Sequence, residues 1–416
     1  MLDNPRPLDA AKRRELISEL CSFEGRWPGT DAERRAAAHL TERLRGMGRK
    51  AQIEPTYVHP EYSLVIAAHM LLAIAGSLLA LILAPLGFLL VLLAATSLYL
   101  DQNTRLYLIR RLFFRRASQN VVSPGPNPNA PTRLILSAHY DAAKTGLVFG
   151  PRSTAAARRL PERGRVLLGP IRLLFWAGIV PLLAVTAARL GGVEGDWLAI
   201  AQLIPTAICL ISIALLIDIA LSGVVPGAYD NASGVAAVLS IAQRLDADPP
   251  QNLDLWVVLP GAEECNCEGM ARWIAAHRDE LDREATVFIN VDSVSYGDPH
   301  YLASEGAIVS YNLDRRLLEL CDAIASADRE DGNSYRARPL RIPFHSDALP
   351  PNTRGFRAIS IIGAEEGVPP SYYHTHADIP DRVDDDSMQR AIDFTTELVR
   401  QVDRDAGRLA RGPTRR

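Results

Sequence analysis

Residues 253–264 read LDLWVVLPGAEE, an apolar run of strand length that ends in two adjacent glutamates. A helical pattern from Ala232 to Leu245 precedes this run, and a second one from Cys267 to His277 follows it. We therefore predict a strand over Leu253–Leu259 between two helices, with the carboxylates at the carboxyl end of the strand.

The same alternation of strand and helix patterns continues along the chain. Further elements are predicted as strands over 132–139, 286–291 and 358–362 and as helices over 314–327 and 386–406. Residues 9–50 also have a helical periodicity, which a turn at 27–30 interrupts. This pattern indicates an α/β fold, a three-layer α/β/α sandwich around a mostly parallel mixed sheet. In such sheets the ligand site lies at the carboxyl ends of the strands.

Two long apolar blocks interrupt this pattern. Residues 64–100 contain no formal charge, and they break at Ala84-Pro85-Leu86-Gly87. Residues 166–221 contain two apolar stretches on either side of the charged turn 189–196. Runs of this length and composition are typical of membrane spans, so each block predicts a transmembrane helical hairpin. Buried core helices are the alternative, which the length of the charge-free run disfavours.

The distribution of arginine predicts the orientation of the spans. The segment between the hairpins is rich in arginine, whereas the turn of the second hairpin has only Arg189, offset by Glu194 and Asp196. Positive charge is retained on the cytoplasmic side. We therefore expect a multi-pass cell-membrane protein with the lipid bilayer as a partner and a cytoplasmic catalytic domain. Asp218, near the end of the last span, is expected at the membrane interface.

Bulk composition excludes several classes of protein. The net charge of −3 and the lack of a basic patch argue against nucleic acid as a partner. The five cysteines are few and scattered, which argues against a disulfide scaffold and suits a reducing compartment. The N-terminus has no apolar core of the signal-peptide kind, so membrane insertion is expected to use internal segments.

Acids and histidines occur where the predicted strands end. The candidates are His139 and Asp141, Asp230 before a helix, the pair Glu263 and Glu264, Asp292, and His374 in YYHTHAD at 372–378. Singly, each has an ordinary explanation, such as a helix N-cap or a favourable helix dipole. Together they predict a metal site, because carboxylate and imidazole ligands without paired thiolates suit zinc. Two zinc ions per chain would polarise a carbonyl and activate a water between them, and a further carboxylate would act as general base.

The order of these motifs is similar to that of the bacterial leucyl aminopeptidase and aminopeptidase Y family of di-zinc peptidases. The motifs are His-x-Asp, Asp-Asn-Ala-Ser-Gly, Glu-Glu, a strand-end Asp, and Tyr-His-Thr-x-x-Asp. The resemblance implies zinc ligation by His139 and Asp292 at one site and by Glu264 and His374 at the other, with Asp230 bridging both. It also implies that Glu263 is the general base, that Asp141 orients His139, and that the Asp230–Asn231 peptide bond is cis.

The chain departs from the resemblance in several places. The hairpins have no counterpart in soluble members, and His376 could replace His374 as a ligand. Cys265 and Cys267 suggest buried small residues at a helix start, with a redox switch or stray metal ligands as alternatives. His345-Ser346-Asp347 resembles a segment near the substrate pocket of the family.

These observations predict a membrane-anchored zinc aminopeptidase that acts on peptides. The alternatives are a carboxypeptidase-like or glutaminyl-cyclase-like enzyme of the same superfamily, or a catalytically silent binding module. The sequence leaves the substrate preference and the oligomeric state open. The predicted division is 1–60 for the N-terminal part of the peptidase domain, 61–103 for hairpin 1, 104–164 for the part with the first metal motif, 165–222 for hairpin 2, 223–408 for the main peptidase domain, and 409–416 for a basic tail.

Overall fold

The computed structural model of the 416-residue chain describes residues 8–410. The predicted basic tail lies almost wholly outside this range. The helices are α1 (Ala10–Ser22), α2 (Asp31–Gly46), α3 (Tyr62–Leu79), α4 (Ala84–Gln102), α5 (Pro151–Arg158), α6 (Glu162–Leu167), α7 (Pro170–Leu173), α8 (Val180–Leu190), α9 (Asp196–Leu221), α10 (Ser233–Ala247), α11 (Glu268–Ala276), α12 (Arg315–Glu330), α13 (Leu349–Thr353) and α14 (Asp385–Ala410). The strands are β1 (Gln52–Val58), β2 (Arg116–Ser123), β3 (Thr132–Ser137), β4 (Leu253–Leu259), β5 (Thr286–Asp292), β6 (Asp298–Glu305), β7 (Tyr311–Asn312), β8 (Arg338–Arg341) and β9 (Arg357–Ala364).

In the described part of the chain, the strands form one mixed sheet. Its order is β1-β2-β4-β3-β5-β9-β6-β7, with β8 paired to β6. The four central strands β4, β3, β5 and β9 are parallel to one another. The pairs β1–β2, β2–β4, β9–β6 and β6–β7 are antiparallel, and β8 pairs with β6 in parallel. The expected parallel sheet is therefore found at the centre, with antiparallel pairs on both sides of it.

The helices cover the sheet and form its core with it. Helix α10, which is buried along most of its length, packs against α1, α14 and β5. Its first ten residues, SGVAAVLSIA, are small or apolar on all faces of the helix. This composition is typical of a helix that exposes no polar face to solvent. The mixed α/β fold predicted from the alternation of elements is thus present.

Among the described residues, four helices are long and apolar enough to cross a membrane. They are α3, α4, the continuous helical stretch Pro170–Leu190, and α9. The third consists of α7, a π-helical turn at Leu174–Ile179, and α8. These helices form an apolar cluster of their own, separate from the core around the sheet.

A buried ion pair joins the base of the first hairpin to the sheet domain. Arg110 Nε and Nη2 donate to the two carboxylate oxygens of Asp101, near the end of α4, at 2.8 and 2.7 Å. Arg110 also donates to the carbonyl of Cys265 at 2.8 Å, and the Asn266 side chain donates to the backbone carbonyl of Asp101. Residues 265 and 266 directly follow the Glu263-Glu264 pair, so this network holds the glutamate loop against the hairpin.

Replacement of Arg110 by Leu should strongly destabilise the fold. The substitution would leave the fully buried Asp101 carboxylate without its charge partner, which typically costs about 3–5 kcal/mol. Arg315→Leu is the matched control, because Arg315 pairs with Glu319 on an exposed helix surface. Denaturant unfolding of the purified variants measures both effects. An equal unfolding midpoint for the two variants would contradict the role of Arg110.

Candidate active site

Three adjacent parallel strands bring the first group of predicted residues together. His139 and Asp141 follow β3, the Glu263-Glu264 pair follows β4, and Asp292 ends β5. Because β3 lies between β4 and β5 and is parallel to both, the three carboxyl ends share one edge of the sheet. The strand order thus places the three motifs side by side.

Two further residues reach this edge from loops. Asp230 lies in an irregular turn before α10, and the Asp230–Asn231 peptide bond is cis, in agreement with the expectation. The Asp378 carboxylate holds this turn by accepting hydrogen bonds from the backbone N–H groups of Tyr229 and Asp230, at 2.7 and 3.2 Å. His374 comes from the loop before Asp378. One acid therefore connects the loop of His374 to the turn of Asp230.

The carboxylate of Asp230 divides the cluster into two halves. Its Oδ1 lies 3.2 Å from His139 Nε2, and its Oδ2 lies 2.9 Å from His374 Nε2. His139 Nε2 is 3.6 Å from Asp292 Oδ1, and His374 Nε2 is 3.7 Å from Glu264 Oε2. Among the described residues, His139, Asp230 and Asp292 therefore form one group that could hold a metal ion, and Asp230, Glu264 and His374 form another.

The donor set fits zinc. Ligands of a tetrahedral zinc ion with bonds of about 2.0 Å lie about 3.3 Å apart, close to the separations in both groups. Glu264 Oε1 is buried and has no hydrogen-bond partner among the described residues, as expected for an atom that needs a cation. Burial, followed by the charges of Asp230 and Glu263, raises the pKa of Glu264 well above its usual range. A metal ion would offset this repulsion between buried carboxylates.

The carboxylate of Asp141 supports several members of the cluster. Its Oδ1 lies 3.3 Å from His139 Nδ1, the position from which it could orient the imidazole. Its two oxygens also accept hydrogen bonds from the backbone N–H groups of Glu263 and Glu264, at 3.1 and 3.0 Å. The second contact was not predicted from the sequence. Asp141 thus contacts both the first histidine and the backbone of the glutamate pair.

Glu263 is placed differently from Glu264. Its Oε2 lies 3.9 Å from His139 Nε2, farther than the carboxylates of Asp230 and Asp292. Glu263, Glu264 and His139 also form a third group within metal-binding distance, so distances alone do not separate base from ligand. Burial, partly offset by the charge of His139, raises the pKa of Glu263 well above its usual range.

Several residues of the site were not assigned a role from the sequence. Asp347 is buried, and neither of its carboxylate oxygens has a hydrogen-bond partner among the described residues. Burial, opposed by the charge of His139 and reinforced by Asp141, raises the pKa of Asp347 to about 8. Asp347 and Asp378 occur in sequence motifs, His345-Ser346-Asp347 and Tyr-His-Thr-x-x-Asp. Their roles could not be read from these motifs, because their contacts are with segments far away in the chain.

His376, Cys265 and Cys267, for which the sequence left alternatives open, have distinct environments in the structure. His376 is exposed, lies against Gly223 and belongs to none of the candidate metal groups. Cys265 and Cys267 are buried free thiols just before α11. The Cys267 thiol donates to Glu263 Oε1 at 3.2 Å. His374 is therefore the histidine of this motif that lies among the candidate ligands.

A small cavity of about 60 Å³ opens beside the cluster. Its wall includes the carboxylates and histidines together with apolar or aromatic side chains, among them Ile342, Phe344, Ile362 and Tyr373. Neither Arg nor Lys occurs among the described residues that line it. The cavity thus offers an apolar surface and anionic groups next to the candidate metal positions.

The last apolar helix also contacts the site. Asp218, in the final turn of α9, accepts a hydrogen bond from the backbone N–H of Leu147 at 2.7 Å. Two residues further on, the ring of Phe149 lies 4.7 Å from the ring of His374. Lys144 Nζ donates to the carbonyl of Ala220 at 2.6 Å. The loop that follows the first metal motif is therefore attached to the end of α9.

Comparison with known proteins agrees with this geometry. Residues 217–399 match the model of a family described as Peptidase family M28. Over this segment the chain resembles peptidase family M28. The match confirms the predicted family resemblance and the metallopeptidase class. The M28 segment includes Asp230, Glu263, Glu264, Asp292 and His374 but begins after His139, whose place in the cluster depends on the folded structure.

Solved structures share the fold across almost the whole chain. A Zn-dependent exopeptidase from Parabacteroides distasonis is 14% identical, with a TM-score of 0.54 over 94% of this chain and 98% of that chain. A leucine aminopeptidase precursor and a glutaminyl cyclase, both from Bacteroides thetaiotaomicron, are each 15% identical. The aminopeptidase precursor has a TM-score of 0.52 over 96% of this chain and 99% of its own chain. The glutaminyl cyclase has a TM-score of 0.54 over 95% of this chain and 98% of its own chain. The search of curated proteins found no match.

Replacement of His374 by Ala should remove bound zinc, whereas His376→Ala should retain it. His374 contributes an imidazole to one candidate metal group, and His376 lies outside all of them. Zinc content of the purified variants, measured by elemental analysis, gives the result independently of activity. Loss of zinc from His376→Ala with normal content in His374→Ala would reassign the ligand.

Proposed function

We propose that this chain is a membrane-anchored aminopeptidase with two zinc ions per chain and a three-layer α/β/α peptidase domain that two transmembrane hairpins interrupt. The observation that carries the proposal is the position of Asp230, whose two oxygens face His139 and His374 separately. A carboxylate in this position suits a bridging ligand. His139 and Asp292 would complete one zinc site, and Glu264 and His374 would complete the other.

Bound zinc ions would polarise the scissile carbonyl and supply a nucleophilic water at neutral pH. The chain itself supplies the proton transfer. Glu263 would accept the proton of the attacking water on a carboxylate oxygen and deliver it to the nitrogen of the departing amine. Asp141 would hold the His139 ring and the backbone of Glu263 in the required orientation. Its contacts with both groups support this assignment.

The cavity supports removal of residues from the N-terminus of a peptide. Its apolar side chains lie beside the candidate metal positions and suit contact with an apolar side chain of the substrate. A carboxypeptidase would need a cation for the free carboxylate of its substrate, and within residues 8–410 no Arg or Lys lines the cavity. These features favour an aminopeptidase over the carboxypeptidase-like alternative.

The surface of the apolar helices supports insertion in a membrane. Helix α9 exposes a series of large apolar side chains that includes Ile200, Leu203, Ile204, Leu210 and Ile211. An apolar surface of this extent is unfavourable in water and favourable in lipid. Together with the arginine-rich segment 105–116, it supports the proposed arrangement of four spans with the peptidase domain in the cytoplasm.

The test of the proposed chemistry uses the adjacent pair Glu263 and Glu264. Glu263→Gln keeps the shape of the side chain but cannot accept a proton, so turnover should fall by about 10²–10⁴-fold with zinc retained. Glu264→Gln should instead lower zinc content, with activity partly restored by added zinc. The measurements are zinc analysis and hydrolysis of fluorogenic aminoacyl substrates, with N-blocked substrates as the control.

Two results would contradict this proposal. Near-normal turnover of Glu263→Gln, with both metals retained in Glu264→Gln, would contradict Glu263 as the general base and Glu264 as a zinc ligand. Ammonia release from N-terminal glutaminyl peptides, without hydrolysis of aminoacyl substrates, would favour the cyclase-like alternative, for which a shared fold is the present support.

The proposed topology predicts opposite accessibility at two introduced cysteines. Val193 lies in the turn between α8 and α9, and Asn129 lies in the loop between β2 and β3. Both side chains are exposed. In intact cells, a membrane-impermeant thiol reagent should label Val193→Cys but reach Asn129→Cys only after permeabilisation. Arg315→Cys, in the M28 segment, should behave as Asn129→Cys does. Equal labelling of positions 129 and 193 would overturn the four-span arrangement.

A further inference from the structure

The segment after hairpin 1 exposes large apolar side chains between arginines. Residues 110–116 read RRLFFRR, and the side chains of Leu112 and Phe114 are 84% and 89% exposed. Arg111 and Arg115 are exposed beside them, whereas Arg110 points inward to Asp101. Two such apolar side chains are costly in water, because each leaves most of its surface hydrated.

Hydrogen bonds fix the depth of this segment relative to the apolar helices. The backbone N–H of Ile109 donates to Ser97 Oγ at 3.3 Å, and Ser97 Oγ lies 2.9 Å from His69 Nε2. Ser97 precedes the end of α4 at Gln102 by five residues, which corresponds to about 7.5 Å at 1.5 Å per residue. The start of the segment therefore lies level with the first turns of the hairpin, where the hydrocarbon region would begin.

A neighbouring strand extends the same surface. Tyr57 is 62% exposed near the end of β1, and the guanidinium of Arg115 lies 5.8 Å from the centre of its ring. β1 ends four residues before α3 begins at Tyr62, so Tyr57 is also at the base of the hairpin. Exposed aromatic rings, arginines and apolar tips at this level are typical of protein surfaces that contact lipid headgroups.

We propose that Tyr57, Arg111, Leu112, Phe114 and Arg115 form a lipid-docking surface that binds the anionic headgroup layer of the bilayer. Leu112 and Phe114 enter the boundary between headgroups and acyl chains, and Arg111 and Arg115 contact lipid phosphates. The proposal rests on the proposed insertion of the hairpins. Continuity with hairpin 1 and the positive charge favour lipid over a second copy of this chain as the occupant.

The docking surface has a direct structural link to the catalytic cluster. The same short segment carries Arg110, which donates to the carbonyl of Cys265, the residue after Glu264. Because the Asp101 ion pair fixes Arg110, the exposed and buried sides of the segment are held as one unit. Lipid contact at Leu112 and Phe114 would thus fix the distance of the candidate active site from the bilayer.

Fluorescence quenching in lipid nanodiscs tests the proposal with the full-length protein. An environment-sensitive dye is attached to Phe114→Cys, or to Leu112→Cys as a second variant, in a Cys21→Ser background. The nanodiscs contain phosphatidylcholine and phosphatidylglycerol, with or without nitroxide-labelled lipid. Arg315→Cys serves as the aqueous control, because its side chain is 93% exposed on α12. Leu71→Cys, 62% exposed in the middle of α3, reports insertion of the hairpin.

The dyes at positions 112 and 114 should be quenched by nitroxide lipid at least about twofold more than the dye at position 315. If the dye at position 71 is quenched but the dyes at both 112 and 114 are quenched no more than the dye at 315, the proposed docking surface is wrong. The proposed insertion of the hairpin would still hold. Absence of quenching at 71 would instead overturn the proposed membrane insertion. Disulfide cross-linking between copies at position 114 without lipid quenching would identify a second copy as the occupant and overturn the proposal.

A change of lipid composition, combined with a double substitution, tests the role proposed for the arginine charges. Quenching at position 114 should be stronger in nanodiscs with phosphatidylglycerol than in nanodiscs of phosphatidylcholine alone, since arginines near the surface are attracted to anionic lipid. Arg111→Gln with Arg115→Gln should abolish this difference. Arg116 is left unchanged, because its side chain packs against Gly29. Equal quenching of the unsubstituted segment in both lipid compositions would refute the assignment of the arginines to headgroups.

Discussion

The site depends on one constraint, the accommodation of several buried carboxylates within a few ångströms of each other. Asp230 lies between His139 and His374, and hydrogen bonds from both histidines oppose the effect of burial and keep the pKa of Asp230 below its usual range. Glu263, Glu264 and Asp347 have no comparable compensation, and burial raises the pKa of each. Such a cluster is costly without cations, so metal binding and the stability of this edge of the sheet should be coupled.

The same constraint explains the route of the chain. Residue 139 follows β3, residue 230 lies in the irregular turn before α10, and the second apolar hairpin lies between them in sequence. Both residues must reach one point, so a hairpin that crosses a bilayer must return to the side from which it left. Contacts at the return point are consistent with this requirement, since Lys144 binds the end of α9 and Leu147 binds Asp218.

The sequence predicted the central sheet well because β3, β4, β5 and β9 are short apolar runs between helical patterns. The edge strands were missed for a physical reason. β1, QIEPTYV, is largely exposed at one edge, and β2, RASQNVVS, buries polar side chains that bind neighbouring elements, such as Ser118 to Glu33. The candidate ligands were visible because they follow apolar strands. The contacts of Asp347 and Asp378 were not, because they depend on segments far apart in the chain.

The arginines of residues 110–116 show what the sequence alone could not resolve. By composition, Arg110, Arg111, Arg115 and Arg116 are equivalent, and together they indicated a cytoplasmic segment. In the structure their partners separate them. Arg110 is buried and paired with Asp101 at the base of α4, whereas Leu112 and Phe114 of the same short segment are exposed. Buried and exposed side chains therefore alternate within a few residues, and a positive-charge count alone would assign the whole segment a single role.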